Sequence, residues 1–449
     1  MNAALVRTVL YPLHEILRGR KTYSFLRDFR RFERLPLEES RRASEQQLVR
    51  LIQHAARTVP YWKGVFDQLG LRPDGFQSAR QLESLPIMDK ALIREQGLEL
   101  VADSHRSKVF TLATGGSSGE PLIFYTDRNR EASQLAAKFR GREWWGIRIG
   151  DPQVDLWGSP IEITANDRQR EWKDRLLNFS LLSAFDLTDE KMSQYAGFLK
   201  SRHAVHLYGY ASVLDRYARF LEERGETLHD LQLKGAVSTA EMLFDDQRER
   251  ISRAFGCPVI NEYGCRDGGF IAQECPDGGF HVASDTVHVE IVDDKGRLLP
   301  VGEVGEVVLT NLYSFGQPMI RYRLGDRARL LEGVCRCGRT LPLLGSVEGR
   351  TGDLLVADDG REVHGLGLMY VLRVIPQIMR YQVIQETLSR VRVRLQHESG
   401  CDAEALSRAV EEGTRSVLGQ SMKVIVESTT EPLPTLPSGK EQSIVSLLP

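Results

Sequence analysis

Cysteine is sparse, with six residues scattered over a chain of 449. That scatter excludes a small disulfide-stapled scaffold. No stretch approaches the roughly eighteen consecutive apolar residues of a membrane-spanning helix. An excess of one charge is missing too: lysine and arginine total 59, aspartate and glutamate 61, for a formal net charge of -2. The chain therefore carries no overall field that would draw it to nucleic acid or to an anionic surface. Its first residues, MNAALVRTVLYPLHEILRGRK, are interrupted by Arg7, His14 and Glu15 and offer no small-residue cleavage site, so no secretion leader is expected. These absences predict a cytoplasmic protein with no nucleic-acid partner and no transmembrane segment. The same segment reads as an amphipathic helix. It either lies on a membrane, with Arg18, Arg20 and Lys21 beyond it, or packs on the protein's own body, which is the reading preferred from sequence.

What is present is ordinary for a globular protein: 41% hydrophobic and 27% charged residues, in a length that calls for two or three domains. Residues 41–68 have helical apolar spacing that breaks at Pro60. From about residue 109, short apolar runs alternate with helical stretches: KVFTLAT, PLIFYTD, a helix capped by Asp127, VDLWG, HAVHLYG, LQLKGAV and PVINEYG. A further helix is expected from Ser238 or Thr239 to Phe255, enclosing Glu241 and Glu249, with Ser238 as a plausible cap. Strands separated by helices of this length describe a largely parallel sheet covered on both faces. Residues 280–332 carry strands and turns with no room for helices, which predicts a smaller β-rich unit. Beyond GRTGD at 349–353, a helix near 367–375 and a β-β-α-β pattern predict a compact α+β domain. The expected boundaries are 1–350 and 351–449.

Two short segments suggest chemistry. TGGSSGEP at 114–121 is a small-residue loop whose backbone N–H groups can hold phosphate. No Lys-Ser/Thr pair follows, so it is not a P-loop, and the glycine spacing is not that of a dinucleotide fold. The same residues are also simple turn formers. SGK at 438–440 places Lys440 in a short turn, where an ammonium can meet a developing phosphoanhydride charge. Cys275, His281, Cys335 and Cys337 lie in ECPDGGFH and CRCG, two turn-rich segments. Two ligands from each can close a tetrahedral Cys3His zinc site of the structural kind, with no open position; free thiols are the alternative.

Together these motifs resemble the adenylate-forming superfamily, and within it the phenylacetate–CoA ligase and CapK-like capsule-biosynthesis group. VPYW at 59–62 and LPIMDKALIR at 85–94 resemble that group's N-terminal region. TGGSSGEP resembles its phosphate loop, and NEYGCRDGG at 261–269 its nucleotide and metal segment. RYRLGD at 321–326 resembles the ribose motif, GRTGD the hinge, and SGK the catalytic lysine motif.

The resemblance implies an α/β fold: a large N-terminal enzyme domain with parallel sheets and a β-rich unit, then a small mobile C-terminal α+β lid carrying the catalytic lysine. It implies ATP-dependent activation of a small-molecule carboxylate to an acyl-adenylate with pyrophosphate release, followed by transfer to coenzyme A. An amine or hydroxyl acceptor in polysaccharide or natural-product assembly is the alternative, as is a catalytically silent binding homologue. A homodimer is compatible with either.

By the same resemblance, Thr114, Gly115, Gly116, Ser117, Ser118 and Gly119 would wrap the β- and γ-phosphates of ATP. Gly235 and Ala236 would form the backbone wall near adenine, and Glu262, Tyr263 and Gly264 would lie beside the nucleotide. Asp326 would accept from the ribose hydroxyls, unless it forms a salt bridge with Arg321, Arg323 or Arg327 instead. Arg350 would reach the nucleotide, Asp353 would mark the hinge, and Lys440 would bridge carboxylate and α-phosphate. Asp267 stands where much of the family has glutamate, so the Mg2+ ligand has a shorter arm. Trp157, Tyr208, Tyr210 and Ala211 are candidates for the acyl pocket, or for the core.

Overall fold

The computed structural model describes residues 1–449 apart from 115–121, 158–166, 184–186, 350–353, 374, 376, 398–399, 432, 434–442 and 449. The chain divides into two compact units. The first holds Met1–Leu324 and Ala328–Ser346, and the second Gly325–Arg327 and Val347–Pro449.

In the first unit, the hairpin β1 (Phe110–Ala113) and β2 (Ile123–Thr126) flanks the glycine loop as its own antiparallel pair. The central sheet contains β3 (Gln153–Trp157), β4 (Phe179–Ser183), β5 (His206–Tyr210), β6 (Gly235–Thr239) and β7 (Val259–Cys265), all parallel. It continues through β8 (Gly269–Glu274) and β9 (Phe280–Val282), which run antiparallel. A three-stranded sheet follows, from β10 (Val287–Val292), β11 (Gly305–Asn311) and β12 (Tyr322–Ala328). Two short strands, β13 (Leu330–Leu331) and β14 (Leu343–Leu344), then return to the large sheet, whose order is β13-β14-β9-β8-β7-β6-β5-β3-β4.

This corrects the expected β-rich unit. β9, β13 and β14 complete the edge of the central sheet, and only β10–β12 form a sheet of their own. Those turn-linked strands are absorbed because their apolar residues, such as Val282 and Leu344, have a core to enter only beside β8.

The parallel strands are buried on both faces, so they read as nearly continuous apolar runs; all five residues of β6 are buried. The helix Ala211–Glu223 covers them with Val213, Leu214, Tyr217, Ala218 and Leu221, three or four residues apart, so one stripe faces the sheet. Each such Leu or Val contributes roughly 1.5–3 kcal/mol when fully buried. The helix expected from Ser238 starts instead at Asp245 and ends at Phe255. Ser238 and Thr239 remain in β6, Glu241 lies outside any helix, and the side chain of Gln247 accepts from the Phe244 N–H at the true helix start. Strand pairing with β5 and β7 holds both Ser238 and Thr239 in the sheet, past the expected cap.

In the second unit, β15 (Leu354–Val356) and β16 (Glu362–His364) form a hairpin. β17 (Ile378–Thr387), β18 (Arg390–His397), β19 (Lys423–Thr429) and β20 (Ile444–Ser446) form a sheet ordered β19-β18-β17-β20. Burial alternates along β18 from Arg390 to Leu395. Val391, Val393 and Leu395 enter a core with Leu406, Val410 and Ile444, while Arg392 and Arg394 reach Glu427 on the exposed side. Among the described residues no helix is long and apolar enough to cross a membrane.

Candidate active site

Ligands of parallel α/β sheets bind beyond the carboxyl ends of the strands. Here those ends bring Trp157 of β3, Tyr208 and Tyr210 of β5, Ser238 and Thr239 of β6, and Glu262 and Tyr263 of β7 to one edge. The registers pair Ser238 with Asn261 and Thr239 with Glu262. Gly235 and Ala236 sit at the opposite, amino end of β6, opposite His206 and Leu207, and both are buried. A Cβ on Gly235 would lie 2.6 Å from Ile260 Cδ1, so sheet packing accounts for this glycine. The residues expected as the adenine wall therefore lie away from the carboxyl edge, where the strand finishes with Ser238 and Thr239. There the Ser238 hydroxyl is buried without a hydrogen-bond partner among the described residues, and Ala240 holds a positive φ of 66°.

The floor of this edge is a buried polar cluster supplied by the helix Arg128–Glu143. Lys138 Nζ donates to Tyr208 Oη at 2.7 Å and lies 3.1 Å from Glu262, and Tyr208 donates to Glu262 at 3.0 Å. Burial lowers the Lys138 pKa against the pull of Glu262, and raises that of Tyr208. Trp157 stacks on Tyr210 at 4.1 Å and on Tyr208 at 5.5 Å. Arg142 donates to Gln153 at 2.5 Å, and Gln153 in turn donates to Asp155.

Lys138, Arg142 and Asp155 escape a sequence reading because their helix and strand carry charges at core positions. The signal was a helix with polar residues on every face, which surface helices do not need.

Burial pushes the Asp155 carboxyl up to about 6, against the hydrogen bond from Gln153 and the charges of Arg142 and Lys138. An acid whose folded pKa lies above its unfolded value binds its proton more tightly when folded. Its effect on stability is therefore most favourable in acid and is lost as pH rises from about 4 through about 6. Relative to wild type, Asp155→Asn should gain roughly 2 kcal/mol of stability over that window. Thermal melts of both proteins against pH test this, and parallel curves would refute it.

The segment 261–269 is tightly built. β7 bulges between Tyr263 and Gly264, and a Cβ on Gly264 would sit 2.6 Å from Gly269 O, so the strand pair itself requires glycine there. Asp267 is buried. Burial opposes its charge, but hydrogen bonds from Tyr322 and Cys265 and the Lys90 ammonium hold the carboxyl below its ordinary range. Arg130 donates to the Asp267 carbonyl. The site thus offers a carboxylate oxygen of the kind that ligates hard cations, with Tyr322 fixing one side of it.

Asp326 is buried in β12. Arg321 pairs with Glu290 at 3.1 Å and Arg323 with Glu306 at 2.8 Å, so each of these arginines has a carboxylate of its own. At the base of the glycine loop, Thr114 Oγ1 accepts from the Leu122 N–H at 3.0 Å and the Thr114 N–H returns to Leu122 O at 2.9 Å. Thr114 therefore braces the loop from β1 to β2. Gly115–Gly119, Arg350, Asp353 and Lys440 lie outside the described residues.

Cys275, His281, Cys335 and Cys337 converge, with their ligand atoms all within 4.8 Å of one another. Cys275 Sγ is 3.6 Å from Cys335 Sγ, and Cys337 Sγ is 3.2 Å from His281 Nε2. Tetrahedral coordination with zinc–sulfur bonds of about 2.3 Å places sulfurs about 3.8 Å apart, close to the spacing seen here. His281 Nδ1 faces Leu341 O at 3.3 Å, which orients the ring and leaves Nε2 toward the thiols. Burial lowers the His281 pKa to about 4, so the imidazole stays neutral as a ligand must. The pairing of Leu343 in β14 with His281 in β9 brings the two loops together. Trp144 packs edge-on to His281 at 5.4 Å, Arg339 lies over Trp144, and Trp144 Nε1 donates to Glu33 at 3.0 Å. The donor set and its geometry fit a structural Cys3His zinc ion.

Comparison with known proteins agrees with this architecture. Residues 355–446 match the profile of the CapK C-terminal domain. The phenylacetate–coenzyme A ligase of Thermus thermophilus is 27% identical over 369 residues, covering 78% of this chain and 79% of the relative. Protein CapK of Staphylococcus aureus is 23% identical over 368 residues, covering 81% of this chain and 80% of the relative. A solved structure of 2-hydroxyisobutyryl-CoA ligase in complex with R3-HIB-AMP superposes with a TM-score of 0.76 at 20% identity, over 93% of this chain and 91% of that one. At that identity the last match speaks for the fold alone.

The two-unit fold is shared with that ligase, and by sequence the chain is similar to members of the adenylate-forming superfamily. Within it, the sequence relatives named above are phenylacetate–coenzyme A ligases and CapK.

Proposed function

We propose that the chain uses ATP to activate a small-molecule carboxylate and passes the acyl group to coenzyme A. The carboxylate oxygen attacks the α-phosphorus, the bond to the β-phosphate oxygen breaks, and pyrophosphate leaves. The thiol of coenzyme A then attacks the acyl carbon of the adenylate, and AMP leaves. The observation that carries this reading is the sequence match to a phenylacetate–coenzyme A ligase over about four-fifths of the chain.

The roles follow the electrostatics of phosphoryl transfer, which needs charge neutralised and the nucleophile held in line. The loop 115–119, braced by Thr114, would hold the outer phosphates. Asp267 would meet the Mg2+ that arrives with ATP, Asp326 the ribose, and Glu262, Tyr263 and Gly264 the nucleotide side of the sheet edge. Lys440 would bridge the reacting groups, with Arg350 near the nucleotide and Asp353 at the hinge. A zinc ion at Cys275, His281, Cys335 and Cys337 would pin two loops and take no part in the reaction. A reaction that draws on ATP and coenzyme A would run in the cytoplasm.

The CapK C-terminal match is equally compatible with a second reading in which an amine or hydroxyl replaces coenzyme A. Pyrophosphate release across a panel of aryl, hydroxy, amino and fatty carboxylates, each with coenzyme A or an amine added, separates the two. Release that depends on both ATP and one carboxylate is expected. Release with no carboxylate dependence across the panel would refute activation, and product formed only with the amine would refute the thioester.

A further inference from the structure

The helical stretch from Ala3 to Arg18, widened by one turn over Val6–Leu10, packs on the protein with one face only. Val6 and Tyr11 enter a core with Phe29, Ala136 and Phe139, and the Tyr11 and Phe139 rings meet edge to face at 5.6 Å. Polar clamps fix that orientation. Arg7 Nε donates to Ile149 O at 2.8 Å, and Arg7 also pairs with Asp151 at 3.0 Å. Buried Glu15 holds Arg20 at 2.5 Å and accepts from the Thr22 N–H, and Arg20 continues to Glu131 at 2.9 Å. The helix cannot turn its other face inward without breaking these bonds.

That other face is apolar. Leu5, Val9, Leu13, Ile16 and Leu17 follow one another at spacings of four or fewer, and Ile16 and Leu17 are 74% and 77% exposed. The stripe spans thirteen residues, roughly 18 Å of helix from first to last. A helix that only packs on its own protein shows polar residues on the outside. A continuous apolar stripe marks an interaction surface.

Charge points to the partner. The exposed residues of the first twenty-one include Arg18 and Lys21 and no acid, since Glu15 is buried. The helix Thr22–Phe32 follows with exposed Arg27, Arg30 and Arg31 against Asp28, and Arg30 reaches Glu143. The helix Asp167–Leu176 lies alongside: its Trp172 and Arg175 line one cavity with Met1, and its Lys173 is paired with Asp174 at 3.1 Å. Trp172 is 70% exposed. An apolar stripe edged by lysine and arginine, with an exposed tryptophan beside it, is the pattern of a helix that lies in the headgroup layer of a membrane.

We propose that this face docks the protein on an anionic phospholipid surface, with the stripe Leu5–Leu17 entering the headgroup layer and Arg18, Lys21 and their neighbours meeting lipid phosphates. A second copy of the chain would cover the stripe but would not call for the cationic edge.

Flotation of the full chain with vesicles tests this. Wild type should rise with phosphatidylcholine–phosphatidylglycerol vesicles and stay behind with phosphatidylcholine alone. Ile16→Glu/Leu17→Glu should abolish flotation at unchanged melting temperature, because both side chains are exposed. Arg18→Gln/Lys21→Gln should weaken partitioning about thirtyfold, at roughly fivefold for each cation near an anionic surface. Wild type that fails to float, floats equally with neutral vesicles, or floats undiminished after the glutamate substitutions overturns the proposal. So does a wild-type dimer, dissolved by the same substitutions, in protein that never binds vesicles.

Discussion

Lys440→Ala is expected to slow adenylate formation by about a hundred- to a thousandfold, corresponding to about 3–4 kcal/mol of lost transition-state stabilisation. The magnitude follows from removing one charge aimed at a phosphorus centre as its oxygens gain negative charge. Lys440 falls in the connection between β19 and β20, two strands of the small sheet. Beyond it the chain closes that sheet: β20 runs parallel to β17 through Val383 and Ile444, and Ile444 is buried in the core of the second unit. Ile444–Ser446 therefore belong to the fold, and deleting the chain beyond Lys440 would confound the experiment. The point substitution leaves them in place, and the melting temperature should not change. Thioester formation from preformed adenylate should be much less affected, because no phosphoanhydride bond breaks in that step. Wild-type rates of pyrophosphate release in Lys440→Ala would remove the lysine from the mechanism. A loss of both steps together with a lower melting temperature would mark it as structural.

Local signals in the sequence were dependable where one residue decides one feature. Asp127 caps the helix Arg128–Glu143 by accepting from the Asn129 and Arg130 N–H groups, as its position before a helical run indicates. The Val/Arg alternation of β18 marks it as a strand, and its valines form the buried face. The α+β pattern of the second unit was legible for the same reason. Features set by distant partners were not. The end of β6 depends on strands β5 and β7, so Ser238 looked like a cap and is a strand residue. β12 runs through RYRLGD, where the motif drew attention away from its alternating burial. Gly264 is explained by a bulge against Gly269, which lies on the next strand of the sheet. The charged cluster of Lys138, Glu262 and Tyr208 joins a helix and two strands, and nothing in any one segment announces it.

Replacing Cys335 and Cys337 together by serine is expected to remove one tightly held zinc per chain and to destabilise the first unit by about 4 kcal/mol or more, the range associated with loss of a structural metal. The four ligands come from segments some sixty residues apart, as the contact of Cys275 with Cys335 records. In the unfolded chain they are dispersed, so metal binding free energy becomes folding free energy. The first unit also has a large apolar core of its own, so loss of the ion should loosen the loops before it unfolds the whole. The loosening should spread along the contacts that lead inward: His281 to Trp144, Trp144 to Glu33, and Glu33 to Arg140, at 3.4 Å, which also holds Asp285. Removing the ion leaves two buried partners, Cys275 and His281, facing one another without a cation. A chelator should therefore lower the melting temperature of wild type toward that of the double variant and leave the variant unchanged. Substrate choice should not shift, because the ligands are all from protein and none lies among the residues at the carboxyl edge of the sheet. Elemental analysis of protein grown with sufficient zinc and purified without chelator gives the direct check. Metal-free wild type, or a double variant that melts with it, would return these four side chains to ordinary thiols and a packed imidazole.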